Sequence, residues 1–404
     1  MVIKVRNDAP ESLAGYSAGI LLIALALAAF GLMVQYSAGI SLSSSNRLAA
    51  FDRQLMYLPA ALLAGWLVYR IDLDVVREHR WWILWVAIAA MVAARVPGIG
   101  ISVNGSWRWI DFGFIRLQAS DLGKVALVVM LAHLLAVSQR RTLRPDFPLL
   151  RFSSRSPYVM PVAGWNDFRD GFLRPASVVL AVCFFIAWGP DLGTIILCCA
   201  VGGTMMLVSG ARWRYVIPAF LLGAGAFAVV VMNWENRMRR FLSFTDPWGR
   251  RGDEAYQLFE GMVAFGVGGI TGQGAAQGVQ GRAFLPEAHT DFVFSVIGEE
   301  YGLIATASVA CAYFAIFLLA HRAMRRSTDL YRFNLCLGAT LFLVMQALVN
   351  MGVVTGLLPT KGISLPFLSY GGTNLVVMSC MVGLTLNCLR DAQAPAFVPR
   401  EART

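Results

Sequence analysis

Long apolar runs alternate with short basic connections along this 404-residue chain. A helix that crosses the hydrocarbon layer needs about 20 predominantly apolar residues. Ten stretches answer to that pattern, at 15–37, 54–70, 80–97, 118–138, 175–190, 192–210, 214–232, 291–320, 333–357 and 370–389. The second and fifth are short, and the eighth is long enough to tilt or to extend beyond a bilayer. The pattern predicts an all-α, polytopic integral membrane protein of about ten transmembrane helices in a single membrane domain over residues 1–404. Two connections are long. Residues 139–174 are basic with several Pro and Ser, a flexible loop beside anionic lipid. Residues 233–290 form a large loop between helices 7 and 8. Within it, Tyr256 to Val267 reads as an amphipathic helix lying on the membrane. Glycines 266, 268, 269, 272, 274, 278 and 281 follow. They do not join a strand to a helix, so a nucleotide fingerprint is a poor reading. Flexible backbone around a substrate is the better one.

Charge orients the spans. Hydrophobic residues make up 57% of the chain and charged residues 14%, with a mean hydropathy of +0.61. A soluble domain of this size would need more charge to cover its surface. The formal charge of +10 does not indicate nucleic acid, because the basic residues are dealt out between apolar spans and form no stripe. With a cytoplasmic N-terminus, Lys4, Arg6, Arg70, Arg77, Arg80, the arginines from Arg140 to Arg174, Arg212, Arg214 and those from Arg322 to Arg403 all fall inside. The positive-inside rule then places both termini, the 139–174 loop and the 391–404 tail in the cytoplasm, and the 233–290 loop outside. The first apolar run, from about Gly15, carries no convincing cleavage site and reads as a retained helix. Cysteines 183, 198, 199, 311, 336, 380 and 388 lie in apolar segments, where packing explains them better than a disulfide framework. Histidines 79, 133, 289 and 321 are scattered without zinc-ligand spacing.

On this topology the outward-facing stretch from Leu285 to Phe294 is the strongest chemical candidate. It sets Asp291, with His289 and Thr290 beside it, at the mouth of an apolar helix. An acid at a membrane boundary is costly to keep and is a functional suspect by default; Asp291 reads as a proton acceptor. His289 alone is weak support and also reads as orienting the loop. Asp121 and Lys124, three apart on one helix face, read equally as a structural ion pair or as a site with Lys124 facing a phosphate. Asp191 follows Pro190 at a helix start, where capping is the better reading. Glu299 and Glu300 lie too deep for simple solvation and either bond neighbouring helices or line a cavity. The arginines of 237–251 favour contact with anionic headgroups or diphosphate over plain solvation.

Several stretches resemble one family in sequence and order: Tyr36-Ser37-Ala38, Asn104 to Ile110 (NGSWRWI), Gln118 to Lys124 (QASDLGK), Pro190 to Thr194 (PDLGT), Leu285 to Phe294 (LPEAHTDFVF), Gly356 to Gly362 (GLLPTKG) and Leu365 to Gly372 (LPFLSYGG). The chain resembles the SEDS family (shape, elongation, division and sporulation), which includes the FtsW, RodA and SpoVE branches. Asp246-Pro247-Trp248 and Pro359-Thr360-Lys361-Gly362 are closer to the FtsW branch. Asp121 stands where the family usually has Glu, and Gly189 precedes Pro190 where Gln or Glu is common.

The resemblance implies a multi-pass protein of the cytoplasmic (inner) membrane that joins lipid II into β-1,4 glycan strands at its outer face by inversion, serving cell division. It assigns the essential acid to Asp291. Lys124, Arg108, Arg240 and Lys361 are the cations expected at the leaving diphosphate, with His289, Thr290 and Ser369 also contacting substrate. Asp121, Asp191, Glu299 and Glu300 are the buried polar set. A divalent cation, Mg or Mn, bridging the diphosphate is chemically reasonable, although no protein cage for it is visible. The implied partners are a class B penicillin-binding protein, divisome or elongasome proteins and membrane lipids. Competing readings are a lipid II flippase, which needs a polar path across the bilayer, a RodA-like elongation polymerase, and a scaffold for the transpeptidase.

Overall fold

The computed structural model describes residues 13–40, 49–103, 106–111, 113, 116–142, 168–189, 191–234, 238, 244–249, 255–279, 288–327 and 329–391. Their helices are α1 (Leu13–Ile40), α2 (Ala49–Arg70), α3 (Leu73–Glu78), α4 (Arg80–Ala93), α5 (Ala119–Thr142), α6 (Arg174–Ala187), α7 (Leu192–Val208), α8 (Trp213–Met232), α9 (Tyr256–Gly268), α10 (Val293–Met324), α11 (Leu330–Val354) and α12 (Gly372–Asp391). One π turn, Arg169–Leu173, leads into α6. Each of the ten apolar stretches coincides with a helix; α3 and α9 are additional. Six helical segments are long and apolar enough to cross a membrane: Leu13–Ala38, Ala119–Gln139, Arg169–Ala187, Val293–Met324, Leu330–Val354 and Gly372–Arg390. The helices α4, α7 and α8 are apolar but shorter. The chain is an all-α, multi-pass membrane protein.

The centre of the bundle is made by α5, α11 and α12. Buried residues cover α11 on nearly every side, among them Tyr331, Phe333, Phe342 and Ala347, as expected for a helix that is apolar all round. Paired with α12 lies α2, whose last turn is closed by its neighbour. Asn387 Nδ2 donates to Val68 O (2.8 Å) and Ile71 O (2.6 Å), and Arg390 Nη1 donates to Tyr69 O (3.0 Å). Those carbonyls would otherwise be orphaned at a helix end. At the periphery, α8 leaves Ile217, Phe220, Leu221 and Leu222 exposed.

Two features depart from the expected pattern. Between the third and fourth apolar stretches, where no element was predicted, lies a three-stranded antiparallel sheet, β1 (Gly100–Val103), β2 (Ser106–Asp111) and β3 (Arg116–Gln118), in that order. Ile101 pairs with Trp109 and Ile110 with Leu117, with a bulge between Ile101 and Ser102. Thr373, at the start of α12, anchors the sheet: its Oγ1 accepts from Gln118 N (3.1 Å) and donates to Arg116 O (2.7 Å).

The second departure is a break in α10 at Gly302, where φ is 72° and ψ is −169°. A break inside an apolar helix frees backbone groups that lipid cannot satisfy. The segment after α9 satisfies them. Gln273 N and Gly274 N donate to Glu299 O (3.0 Å) and Glu300 O (2.9 Å), while Leu303 N and Ile304 N donate to Gly269 O (2.9 Å) and Ile270 O (3.3 Å). The helix α9 exists as expected, but its buried face, Leu258, Gly261 and Ala264, packs into the protein, and the Phe265 ring sits on Gly298 of α10.

Candidate active site

The turn Ala288–Phe292 delivers the chain into α10 and is held from two helices and the 359–371 loop. Its His289 O accepts from Gln35 Nε2 of α1 (2.8 Å) and from Tyr370 N (2.8 Å). Asn350 Nδ2 of α11 donates to Asp291 O (2.8 Å) and to Ile363 O (2.7 Å). One amide thus ties the Asp291 backbone to the 359–371 loop. The carboxylate lies against that loop, since a methyl at Gly362 would stand 2.9 Å from Asp291 Oδ2. His289, Thr290 and Asp291 are half-buried, and every residue from Phe292 to Glu300 is buried. Asp291 is therefore fixed through its backbone at the last position before the packed interior.

The 359–371 loop is itself braced. Gln54 Nε2 of α2 donates to Ser369 O (3.3 Å) and its Oε1 accepts from Gly371 N (3.3 Å). Gln35 Nε2 reaches Leu368 O (3.1 Å) and the Tyr313 hydroxyl donates to Pro366 O. These bonds hold buried Phe367 at φ 65°, a conformation that costs a non-glycine residue free energy and needs surrounding support. Ser369, expected to contact substrate, is buried, and its Oγ accepts Leu365 N (2.6 Å) inside the loop's own turn. Lys361 is half-buried beside Gly362, its Nζ 5.7 Å from the centre of the Phe227 ring of α8.

Behind this loop the predicted cations and acids separate. Lys124 is buried, with Nζ 2.7 Å from Asp121 Oδ1 and donating to Gln346 Oε1 (2.9 Å). Gln346 Nε2 continues to Ser364 O (2.9 Å) and Asn374 Oδ1 (2.8 Å). Of the two readings of Asp121 and Lys124, the geometry is that of the ion pair. Asp191 caps α7: Oδ1 accepts Thr194 N (3.2 Å), and Oδ2 accepts Thr194 Oγ1 (2.9 Å), Ser120 Oγ (3.1 Å) and Gln118 Nε2 (3.3 Å). Arg108 Nη1 stands 3.8 Å from the same Oδ2. Glu299 and Glu300 bind neighbouring chain: Glu299 Oε1 accepts Val279 N (2.5 Å), and Glu300 Oε2 accepts Ser37 Oγ (2.5 Å), which itself accepts Ala276 N (2.6 Å). Arg240, like Leu285–Glu287, Asn104, Pro190 and most of the 139–174 loop, lies outside the described residues. Among the described residues no three His, Cys, Asp or Glu side chains are grouped to hold a metal ion.

Sequence reasoning gave no role to Gln35, Gln54, Gln346 or Asn350, the amides that hold the site together. Gln35, Gln346 and Asn350 are isolated polar residues in apolar runs, a signal that was readable, whereas Gln54 follows Asp52 and Arg53; the partners were not readable.

The model of the FtsW/RodA/SpoVE cell cycle proteins matches residues 18–394. The chain belongs to the FtsW/RodA/SpoVE family. It is 35% identical over 376 residues to the probable peptidoglycan glycosyltransferase FtsW of Hahella chejuensis, covering 91% of this chain and 89% of that one. To the protein of the same name from Geobacter metallireducens it is 36% identical over 376 residues, covering 92% and 94%. Two solved structures share its fold. One is a chain of the structure reported as "Structural coordination of polymerization and crosslinking by a peptidoglycan synthase complex", with a TM-score of 0.72, 22% identity and coverage of 93% and 98%. The other is the rod shape determining protein RodA of Thermus thermophilus, with a TM-score of 0.65, 22% identity and coverage of 93% and 97%.

Proposed function

We propose that this chain is a peptidoglycan glycosyltransferase that polymerises lipid II at the outer face of the cytoplasmic membrane, with Asp291 as general base. Lipid II is a disaccharide-pentapeptide carried on undecaprenyl diphosphate. The acceptor sugar's 4-hydroxyl oxygen attacks the donor's anomeric carbon, and its proton passes to the Asp291 carboxylate. The bond from that carbon to the diphosphate breaks, and its electron pair leaves with undecaprenyl diphosphate. One displacement converts the α linkage to a β-1,4 bond. A sugar hydroxyl is a weak nucleophile at neutral pH, and a placed base contributes about 10²–10⁴-fold.

The observation that carries this reading is the setting of Asp291: half-buried, its backbone clamped by Asn350, its carboxylate against Gly362. The departing diphosphate needs cations more than a proton donor. Arg108 and Lys361 are the described candidates, because the Lys124 ammonium is committed to Asp121 and Gln346. Polar groups deeper in the bundle support a site on one side over a path across. Thr340 pairs with Thr385 (3.4 Å), and Asn334 with Gln139 (3.0 Å) and Ser209 (2.6 Å), all of them buried. The proposal extends to ten crossings, cytoplasmic termini, a role in division and a class B penicillin-binding protein as partner. The test uses the purified full chain with such a partner and labelled lipid II, scoring strands on gels. Wild type is expected to polymerise and Asp291→Ala to yield none while remaining folded. Strands from the variant at the wild-type rate remove Asp291 as base. Lipid II transfer between leaflets without polymer replaces the enzyme by a flippase.

A further inference from the structure

Arg95 and Arg108 come close to one glycine, Gly189, where the α4–β1 connection faces the turn between α6 and α7. Arg95 donates through Nε to Trp107 O (3.2 Å), and its guanidinium lies 4.9 Å from the centre of the Trp188 ring. Its Nη2 approaches Gly189 so closely that a methyl there would stand 2.6 Å away, and the same methyl would meet Arg108 Cβ at 3.6 Å. The two arginines thus neighbour one residue, and a glycine there leaves room for the Arg95 guanidinium.

Their charge is poorly compensated. Arg108 shares Asp191, at 3.8 Å, with Gln118, Ser120 and Thr194. Arg95 has no carboxylate within 4.0 Å among the described residues. The Nη1 of Arg95 and the Nε of Arg108 are buried with no acceptor among those residues. A buried charged donor left unsatisfied is expensive. The ligand that fits is an anion with several oxygens, because the guanidinium fork matches phosphate geometry. The position suits a substrate as well. Next to Asp191, a methyl at Gly193 would stand 2.9 Å from Ile363 Cγ1. Ile363 O is held by the same Asn350 amide that holds Asp291 O.

We propose that Arg95 and Arg108 form a phosphate subsite that grips the diphosphate of the lipid-linked sugar, with Gly189 admitting the Arg95 guanidinium. The proposal rests on the glycosyltransferase reading above. The test measures binding of undecaprenyl diphosphate to the full chain in phosphatidylcholine nanodiscs, with undecaprenol and phosphatidylglycerol as parallel probes. Arg95→Gln is expected to weaken undecaprenyl diphosphate about tenfold and to leave undecaprenol unchanged, with Arg95→Lys in between because it keeps the charge and loses the fork. Gly189→Ala displaces the guanidinium without removing charge and is expected to weaken the same ligand, which covers the case of an Arg95→Gln protein that does not fold. Wild-type affinity in both Arg95→Gln and Gly189→Ala overturns the subsite. Phosphatidylglycerol binding as tightly as undecaprenyl diphosphate and losing the same factor overturns its assignment to substrate in favour of bulk lipid headgroups. Lipid II turnover by the same preparations separates the two readings. A wild type that makes no strands defeats the glycosyltransferase assignment, whereas an active Arg95→Gln with unchanged KM defeats only the subsite.

Discussion

Asp121 and Asp291 both stand at the start of a long apolar helix, and the fold treats them in opposite ways. Asp121 is buried and joined to Lys124 at 2.7 Å, and the pair is carried onward by Gln346 into the bundle centre. Asp291 is half-buried and fixed by its main chain, with Asn350 on its carbonyl and Gly362 beneath its carboxylate. An acid near a membrane is costly in either place. The first site buries it against an ammonium, and the second holds it half-buried at an edge by its main chain. The proposed chemistry on a sugar hydroxyl calls for the second arrangement.

The largest effect expected is on Asp291. Removing the carboxylate in Asp291→Asn should lower the strand-forming rate by about 10²–10⁴-fold, with circular dichroism and elution volume unchanged; a rate within threefold of wild type would erase the contrast with Asp121. Next comes Lys124→Ala, which strands a buried carboxylate and should destabilise the protein by about 3–5 kcal/mol, read as a lowered unfolding midpoint in detergent. The double change Asp121→Leu with Lys124→Met should recover most of that loss. Recovered stability without recovered turnover would give Lys124 a chemical role after all. Gly362→Ala should follow, with kcat reduced up to about 10²-fold through displacement of the carboxylate and KM moved less. The smallest effect concerns Glu260 of α9, outside the predicted spans, whose burial raises its carboxyl above the ordinary range. An acid with a raised folded-state value binds more protons folded than unfolded, so stability falls as pH rises through the carboxylate range. Glu260→Gln should therefore unfold slightly later than wild type at pH 8 and equally at pH 4.

The same contrast explains what was legible. Apolar runs announced the helices because each is long enough to be read without its neighbours. Asp291 stood out as a candidate because its motif is local. The bonds that position it join residues far apart in the chain, such as Gln35 with His289 and Asn350 with Asp291, and no local pattern encodes such a pairing. The strands β1 to β3 are three to six residues long, too short to register an alternating period beside apolar helices. The break at Gly302 was hidden for the opposite reason: a single glycine in a long apolar run is ordinary, and only the four hydrogen bonds from residues on the 269–274 segment make it a joint.

That joint divides the labour along α10. As one straight rod its 32 residues would span about 48 Å at 1.5 Å per residue, against a hydrocarbon layer of about 30 Å. Split and sutured, the section that follows Asp291 and the section after Gly302 are both bonded to the 269–274 segment, and each is short enough to take its own tilt. A joint at residue 302 is where bending imposed from the lipid would be taken up, short of the turn that holds Asp291.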